Sequence, residues 1–201
     1  MSYLIRIIIE KIMLVYIIMD RAEIKKRIST PLTDADLERH TGIKVGEVIK
    51  YSDLDNYKTI EELLPTDKSS KVILIEEKYN VGHWVCILRY GKTIEYFNSY
   101  GAKWDTDWKF IGKMIRLILG QESNEMTRLM ASAKTEGYDT VWNSQKLQKI
   151  GSNIQTCGRW CVFRIEMMKM GYTLKEFQDF INKQAREQGE KPDFLVSKYV
   201  I

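Results

Sequence analysis

The chain has 201 residues, of which 44% are hydrophobic and 29% are charged, and this composition excludes a disordered or fibrous protein. The net charge of +4 is mildly basic, so a weak contact with DNA is permitted but not required. Three cysteines, too few and too irregularly spaced for a disulfide framework, indicate a reducing compartment.

The first 19 residues are strongly apolar but carry Arg6, Glu10 and Lys11. The uncharged run from Ile12 to Met19 is far shorter than the ~20 residues that span a bilayer, so no transmembrane anchor is predicted. The segment is interpreted first as a strand or helix that packs on the body. A tail added by an upstream start codon and a membrane-surface anchor are the alternatives. Residues 20–201 are expected to form one domain.

The amino-terminal half begins with two short helices, predicted over residues 22–28 and 33–42. His40 falls in the last turn of the second helix, where an imidazole suits the helix dipole and has a structural role. Three strands follow, at 71–78, 83–90 and 93–97, joined by tight turns into an antiparallel meander. No zinc site or other cofactor is predicted, because His40 and His83 lie far apart in the sequence.

The carboxyl-terminal half is mainly helical. Helices are predicted at 105–119 and 124–134, then a strand at 138–142 and a helix that runs from Cys157 to a left-handed cap at Gly171. Thr173 to Glu176 forms a capping box for a helix that extends to about 188, and a last short helix starts near Pro192. The pattern predicts an α+β fold with a small antiparallel sheet packed between helices.

Cys157 is the candidate nucleophile. It stands where a polar loop becomes a helix, and helix N-terminal N–H groups favour the thiolate over the thiol. Gly158 leaves room for a substrate carbonyl to approach the backbone. Cys161 lies one turn further along in an apolar stripe, and Cys86 lies in the middle of a strand, so both are interpreted as packing residues.

His83 is the candidate base, since it starts a strand directly after a glycine turn. A hairpin register through the Gly91–Lys92 loop places Tyr100 opposite His83 and Asn98 within a residue or two diagonally. An amide there fixes the tautomer of the imidazole without adding charge. The competing interpretation makes Asn98 a turn residue in the sequence NSYG.

In chain order, the segments GHWVCILRYG, TIEYFNSYG, a glutamine-bearing polar stretch and TCGRW resemble the adenain and SUMO-protease clan of cysteine peptidases. The resemblance extends from about Val72 to Met170 and is closest to maturation proteases of virophage and Maverick-type viruses. It implies a papain-like core in permuted order, with His83 as base, Asn98 as orienting residue and Cys157 as nucleophile. Trp84 would wall the substrate cleft.

The resemblance also implies a glutamine that donates to the oxyanion. Gln148 is the preferred candidate, although it lies farther from Cys157 than is usual in that clan. Gln145 and Gln155 are the competitors in the same polar segment.

The function implied by the resemblance is a cysteine endopeptidase that cleaves viral capsid or scaffold polypeptides during virion maturation, near glycine. Its location would be the virion and the host cytoplasm where virions assemble. Three alternatives share the same residues: a deconjugase of a ubiquitin-like protein, an acyltransferase that uses the Cys–His pair, and an inactive capsid-associated protein.

Overall fold

The computed structural model describes residues 20–41, 48–106, 111–151 and 153–200. The apolar segment 1–19, expected to pack on the body, lies outside these described residues. The helices are α1 (Arg21–Ser29), α2 (Asp34–Thr41), α3 (Ile60–Leu63), α4 (Lys113–Ile118), α5 (Glu125–Thr135), α6 (Cys157–Lys169), α7 (Leu174–Gln188) and α8 (Pro192–Tyr199). The strands are β1 (Val48–Lys50), β2 (Ser70–Lys78), β3 (Val81–Tyr90), β4 (Thr93–Phe97) and β5 (Asp139–Trp142), and a 3-10 helix covers Tyr51–Asn56.

Within the described residues, the strands form one mixed sheet in the order β1-β2-β3-β4-β5. The predicted α+β class is confirmed, but the prediction of an antiparallel sheet is wrong. The pairs β2–β3 and β3–β4 are antiparallel as tight turns require, whereas β1–β2 and β4–β5 are parallel. The parallel pairs are the two edges of the sheet, where long connections bring in strands from distant parts of the sequence.

Alternating side chains of the central strands pack into a hydrophobic core on each face of the sheet. On one face, Cys86 and Leu88 pack with Trp160 and Ile165 of α6 and with Phe177 of α7. The opposite face is covered by α3, α5 and the 3-10 helix, with Leu54, Ile60, Ile73, Val85 and Leu129 among its buried members. The helix that begins at Cys157 therefore lies directly against β3.

The helix predicted over residues 105–119 is much shorter in the structure. Only α4 is helical there, residues 107–110 lie outside the described part, and Gly112 is extended at the start of the helix with φ −57° and ψ 139°. The apolar side chains spaced as on one face of a helix in this segment are not buried either, since Met114 is 67% and Ile118 is 74% exposed. Of those that the structure describes, Ile111 alone joins a core.

Candidate active site

His83 and Asn98 meet at one end of the central hairpin. The predicted register of β3 and β4 is confirmed, because Cys86 pairs with Phe97 and Leu88 pairs with Glu95. Continued past the ladder, this register sets His83 opposite Tyr100, and the two rings stack with centroids 4.2 Å apart and planes at 13°. His83 Nε2 lies 2.9 Å from Asn98 Oδ1, and both side chains are buried.

A second donor to Asn98 identifies the tautomer of His83. The Tyr100 backbone N–H donates to Asn98 Oδ1 at 2.9 Å, so that atom accepts and is the amide oxygen. His83 Nε2 then carries the proton that it donates to the same oxygen. The other ring nitrogen, Nδ1, is left as the basic atom of the imidazole.

Asn98 is also a turn residue, so its two sequence interpretations hold together. Its carbonyl oxygen accepts from Gly101 N–H at 2.9 Å, which closes the turn, and from Asn143 Nδ2 at 2.7 Å. Gly101 has φ +76°, and a Cβ at this position would lie 2.9 Å from the Ser144 carbonyl oxygen. The turn therefore needs glycine at position 101, and the two hydrogen bonds to the Asn98 carbonyl oxygen hold the Asn98 backbone in place.

Cys157 is the first residue of α6, as the sequence predicted, and its side chain is buried. Its thiol faces the backbone N–H groups of Trp84, of Gly158 and of Cys157 itself. Trp84 directly follows His83 on β3, so the sulfur lies beside the strand that carries the candidate base.

Burial decides the charge states of the two groups. It raises the pKa of the Cys157 thiol, and the three N–H groups offset this only in part. The lowered thiol pKa expected from the helix N-terminus is therefore wrong for this buried thiol. Burial also lowers the pKa of His83 to about 4, against a smaller opposite effect of the Asn98 hydrogen bond. Near neutral pH, the site contains a neutral thiol and a neutral imidazole.

Gln148 is buried beside the same turn. Its Oε1 accepts from Ser99 Oγ at 2.7 Å, and its Nε2 donates to the Ile154 carbonyl oxygen at 3.2 Å. Nε2 also lies 3.5 Å from the Tyr100 hydroxyl, a long contact. Gln148 thus contacts Ser99 and Tyr100, which directly follow Asn98, and it also contacts the loop before Cys157.

The competing glutamines have other partners. Gln145 pairs with Asn182 of α7 through two hydrogen bonds, of 2.5 and 3.3 Å. Gln155 donates its backbone N–H to the Ile28 carbonyl oxygen at 2.7 Å and is half-buried. Among the three candidates, Gln148 alone is fully buried, at 1% exposure.

Trp84 and Gly158 pack against each other. A Cβ at Gly158 would lie 3.3 Å from Trp84 Cδ1 and 3.1 Å from Leu32 Cβ, while Trp84 Nε1 donates to the Leu32 carbonyl oxygen at 3.2 Å. Trp84 also lines a cavity of about 200 Å³ together with Asp34, Val48, Ile49, Lys50, Asp53, Leu74 and Asn80. Trp84 therefore forms one wall of this cavity, whose lining contains neither Cys157 nor His83, and most of its surface is buried. Its expected place in a substrate cleft stays a prediction.

The remaining cysteines and histidine have structural positions. Cys86 and Cys161 are buried in contact with each other between β3 and α6, which confirms their interpretation as packing residues. His40 lies in the last turn of α2, on a different element from the site. Within the described residues, no group of three or more His, Cys, Asp or Glu side chains is arranged to hold a metal ion. No helix in this part of the chain is both long and apolar enough to cross a membrane.

Sequence reasoning missed two residues at the site. Tyr100 stacks on His83, although only its register position was foreseen. Asp193 of α8 accepts from Thr156 Oγ1 at 2.6 Å, directly before Cys157. The signal for Tyr100 was available, since an aromatic residue opposite a histidine in a hairpin invites ring stacking. Asp193 lies too far along the chain for any spacing to indicate it.

No family model matches the chain. A curated relative does: the chain is 33% identical over 157 residues to the uncharacterized protein V9 of Sputnik virophage. The match covers 78% of this chain and 86% of the virophage protein. The chain therefore belongs to the same family as that protein, which confirms the expected link to virophages.

Proposed function

We propose that this member of the virophage V9 family is a cysteine endopeptidase, with Cys157 as nucleophile and His83 as general base. The observation that carries the proposal is the buried 2.9 Å pair of His83 Nε2 and Asn98 Oδ1, at the end of the strand against which the Cys157 thiol lies. A histidine oriented by an amide, near a thiol that opens a helix, is the arrangement that thiol hydrolases need. The proposed core is that of the adenain clan, with papain-like elements in permuted order.

The neutral resting state defines the first step. As the Cys157 sulfur attacks the scissile carbonyl carbon, its proton passes to Nδ1 of His83, and the carbonyl π electrons move onto oxygen. The oxyanion then collapses, the C–N bond breaks, and the proton on Nδ1 goes to the leaving amine. Water attacks the resulting thioester with its proton taken by His83, and the thiol is re-formed when the acyl group leaves as a carboxylic acid.

Two donor groups suit the oxyanion in this scheme. One is the Cys157 backbone N–H at the start of α6, and the other is the Nε2 amide of Gln148. Without substrate, Gln148 Nε2 donates to the Ile154 carbonyl oxygen, so a substrate must compete with this contact. The substrate we propose is a capsid or scaffold polypeptide cut near glycine, in the virion or the host cytoplasm. The virophage relationship supports a viral substrate of this kind.

The test is a digestion of a proteome-derived peptide library and of the capsid polypeptide proposed as the substrate. We expect new amino termini with wild-type protein and with Cys161→Ala, the matched control for a buried thiol on the same helix. Cys157→Ala should produce none. Cleavage by Cys157→Ala, or an absence of cleavage by wild type, would overturn the proposal.

Two further arms separate the alternative reactions. Release of a fluorophore from the carboxyl terminus of a ubiquitin-like protein, without endoproteolysis, would indicate a deconjugase. Transfer of a labelled acyl group from a thioester to a lysine peptide would indicate an acyltransferase. We expect neither reaction to exceed peptide hydrolysis.

A further inference from the structure

We infer that Asp193 keeps the first-turn N–H groups of α6 available to Cys157, by holding the Thr156 hydroxyl away from them. Asp193 is a positioning residue in this scheme, since it acts through Thr156 and not on substrate. The inference rests on the proposed role of Cys157 as nucleophile.

Thr156 occupies the position where a helix is ordinarily capped. A threonine there commonly takes a β-region backbone, and its hydroxyl accepts from an N–H of the first turn. Here Thr156 has φ −97° and ψ 0°, and its side chain makes no capping hydrogen bond. Its hydroxyl donates instead to Asp193 Oδ1 at 2.6 Å, a short bond to a charged acceptor.

The first-turn N–H groups are consequently not taken by a side-chain cap. The earliest intrahelical donor is Trp160, whose N–H reaches the Thr156 carbonyl oxygen at 3.0 Å. The N–H groups of Cys157 and Gly158 approach the Cys157 sulfur and lower its pKa against the larger effect of burial. The Cys157 N–H is also the proposed backbone donor to the oxyanion. A capping Thr156 hydroxyl would accept from the N–H of Gly158 or Arg159, the second and third residues of the helix, and would compete with the sulfur for the Gly158 N–H.

Both carboxylate oxygens of Asp193 accept hydrogen bonds that hold the side chain in place. Oδ1 also accepts from Trp160 Nε1 at 3.3 Å, and Oδ2 accepts from Lys149 N–H at 2.9 Å. The carboxylate is buried, at 7% exposure. It therefore connects the start of α6 to the backbone next to Gln148, so that the nucleophile and the proposed oxyanion donor share one anchor.

The experiment measures alkylation of Cys157 by iodoacetamide across pH, with each cysteine quantified by mass spectrometry. Asp193→Ala removes both carboxylate oxygens, so Thr156 Oγ1, Trp160 Nε1 and the Lys149 N–H all lose this acceptor. We expect the freed Thr156 hydroxyl to cap α6, and the alkylation rate of Cys157 to fall roughly tenfold at pH 7.5, the effect of one hydrogen bond to a charged group. The midpoint of the pH profile should rise. Asp179→Ala, the same change at an exposed site on α7, should match wild type.

The double variant Asp193→Ala/Thr156→Val is the decisive arm. Valine cannot cap, so the double variant should regain alkylation to within about threefold of wild type, as expected if the hydroxyl causes the loss. A double variant as slow as Asp193→Ala would overturn the inference, as would an Asp193→Ala profile identical to wild type. A merely structural Asp193 would lower the melting temperature and leave the pH midpoint in place.

Two variants keep the inference testable even if Asp193→Ala does not fold. Thr156→Asn introduces a strong capping side chain and should slow alkylation roughly tenfold, whereas Thr156→Val should stay within about threefold of wild type. Equal rates for these two variants would overturn the inference. The alkylation measurement needs no substrate. If the variants change the alkylation rate as expected but no peptide is cleaved, the endopeptidase proposal alone is overturned.

Discussion

At the scale of single residues, the properties of the candidate site depend on the contacts and burial of His83, Asn98 and Cys157. His83, Asn98 and Cys157 have the backbone positions expected of them, and Asn98 is hydrogen-bonded to His83. Local signals were sufficient because a short hairpin fixes its own register and a polar loop before an apolar helix marks a helix start. The charge state of Cys157 could not be foreseen, since it depends on burial by groups distant in sequence.

Gln148 provides the first residue-scale prediction. Gln148→Ala should lower kcat for peptide cleavage by about 10²–10³ with little change in KM, because an oxyanion donor acts mainly in the transition state. Gln145→Ala and Gln155→Ala should stay near wild type, since Gln145 pairs with Asn182 and Gln155 is anchored through its backbone. Steady-state kinetics on one peptide check all three. A crippled Gln145→Ala or Gln155→Ala variant would reassign the donor while leaving the Cys–His pair in place.

The buried imidazole of His83 makes stability depend on pH. Its pKa falls from an ordinary 6.5 to about 4 in the folded protein. At a pH between these two values, the imidazole is protonated in the unfolded chain but not in the folded protein. The contribution is complete above pH 6.5 and is lost as pH falls toward 4. When the pH is lowered from 7 to 4.5, the loss of the His83 contribution should lower the free energy of unfolding by about 2 kcal/mol.

Urea denaturation of wild type and His83→Gln at both pH values measures this term. Carboxylates titrate in the same window in both proteins, so the difference between the two losses isolates His83. We expect wild type to lose more stability than His83→Gln. Equal losses would mean that the imidazole is protonated as easily in the folded state as in the unfolded chain.

At the scale of elements, most helices and strands were predicted to within one or two residues. Strand β1 was missed because three residues carry no readable alternation. The α4 region was over-predicted because the apolar spacing was helical, yet Gly112 interrupts it and most of the side chains face outward. Periodicity indicates which residues share a face, but the partner for that face comes from tertiary structure.

Gly82 provides an element-scale prediction, at the bulge of the β2–β3 hairpin directly before His83. A Cβ at Gly82 would lie 1.9 Å from the Ile75 carbonyl oxygen and 2.8 Å from Glu76 Cα, contacts with backbone that no rotamer relieves. Gly82→Ala should therefore lower the free energy of unfolding by more than about 3 kcal/mol, above the usual cost of overpacking. It should also lower cleavage activity by displacing His83.

Thermal and urea unfolding check this prediction against Gly151→Ala. Among the described residues, the Gly151 Cβ position meets nothing closer than a side-chain atom at 4.0 Å, so that control should remain within about 0.5 kcal/mol of wild type. A Gly82→Ala protein as stable as the control would mean that the bulge can shift to accept a methyl group.

At the scale of the whole molecule, the sequence predicted the fold class but not how the layers are joined. Arg164 of α6 and Glu95 of β4 form a fully buried ion pair, with Nε and Nη2 of the arginine 2.8 and 2.7 Å from the two carboxylate oxygens. Tyr90 also donates to Glu95 at 2.8 Å. The pair joins the helix that begins at Cys157 to the strand that leads to Asn98. Residues 69 positions apart give no sign of pairing in a single sequence.

Glu95→Gln should lower the free energy of unfolding by about 3–5 kcal/mol, since it leaves the Arg164 guanidinium buried without a countercharge. The matched control is Glu166→Gln, which breaks an exposed ion pair with Lys169 on the same helix and should cost less than about 1 kcal/mol. Urea denaturation measures both. Similar losses for the two variants would show that water reaches Arg164 and replaces the missing charge.

The position of Asp193 also makes the candidate site depend on the docking of α8. The chain up to the end of α7 already contains His83, Asn98, Gln148 and Cys157, but the carboxylate that holds the Thr156 hydroxyl comes from α8. With α8 undocked, the Thr156 hydroxyl would be unrestrained and the proposed thiol chemistry weak, so the last described helix would act as a latch on a site whose other residues precede it.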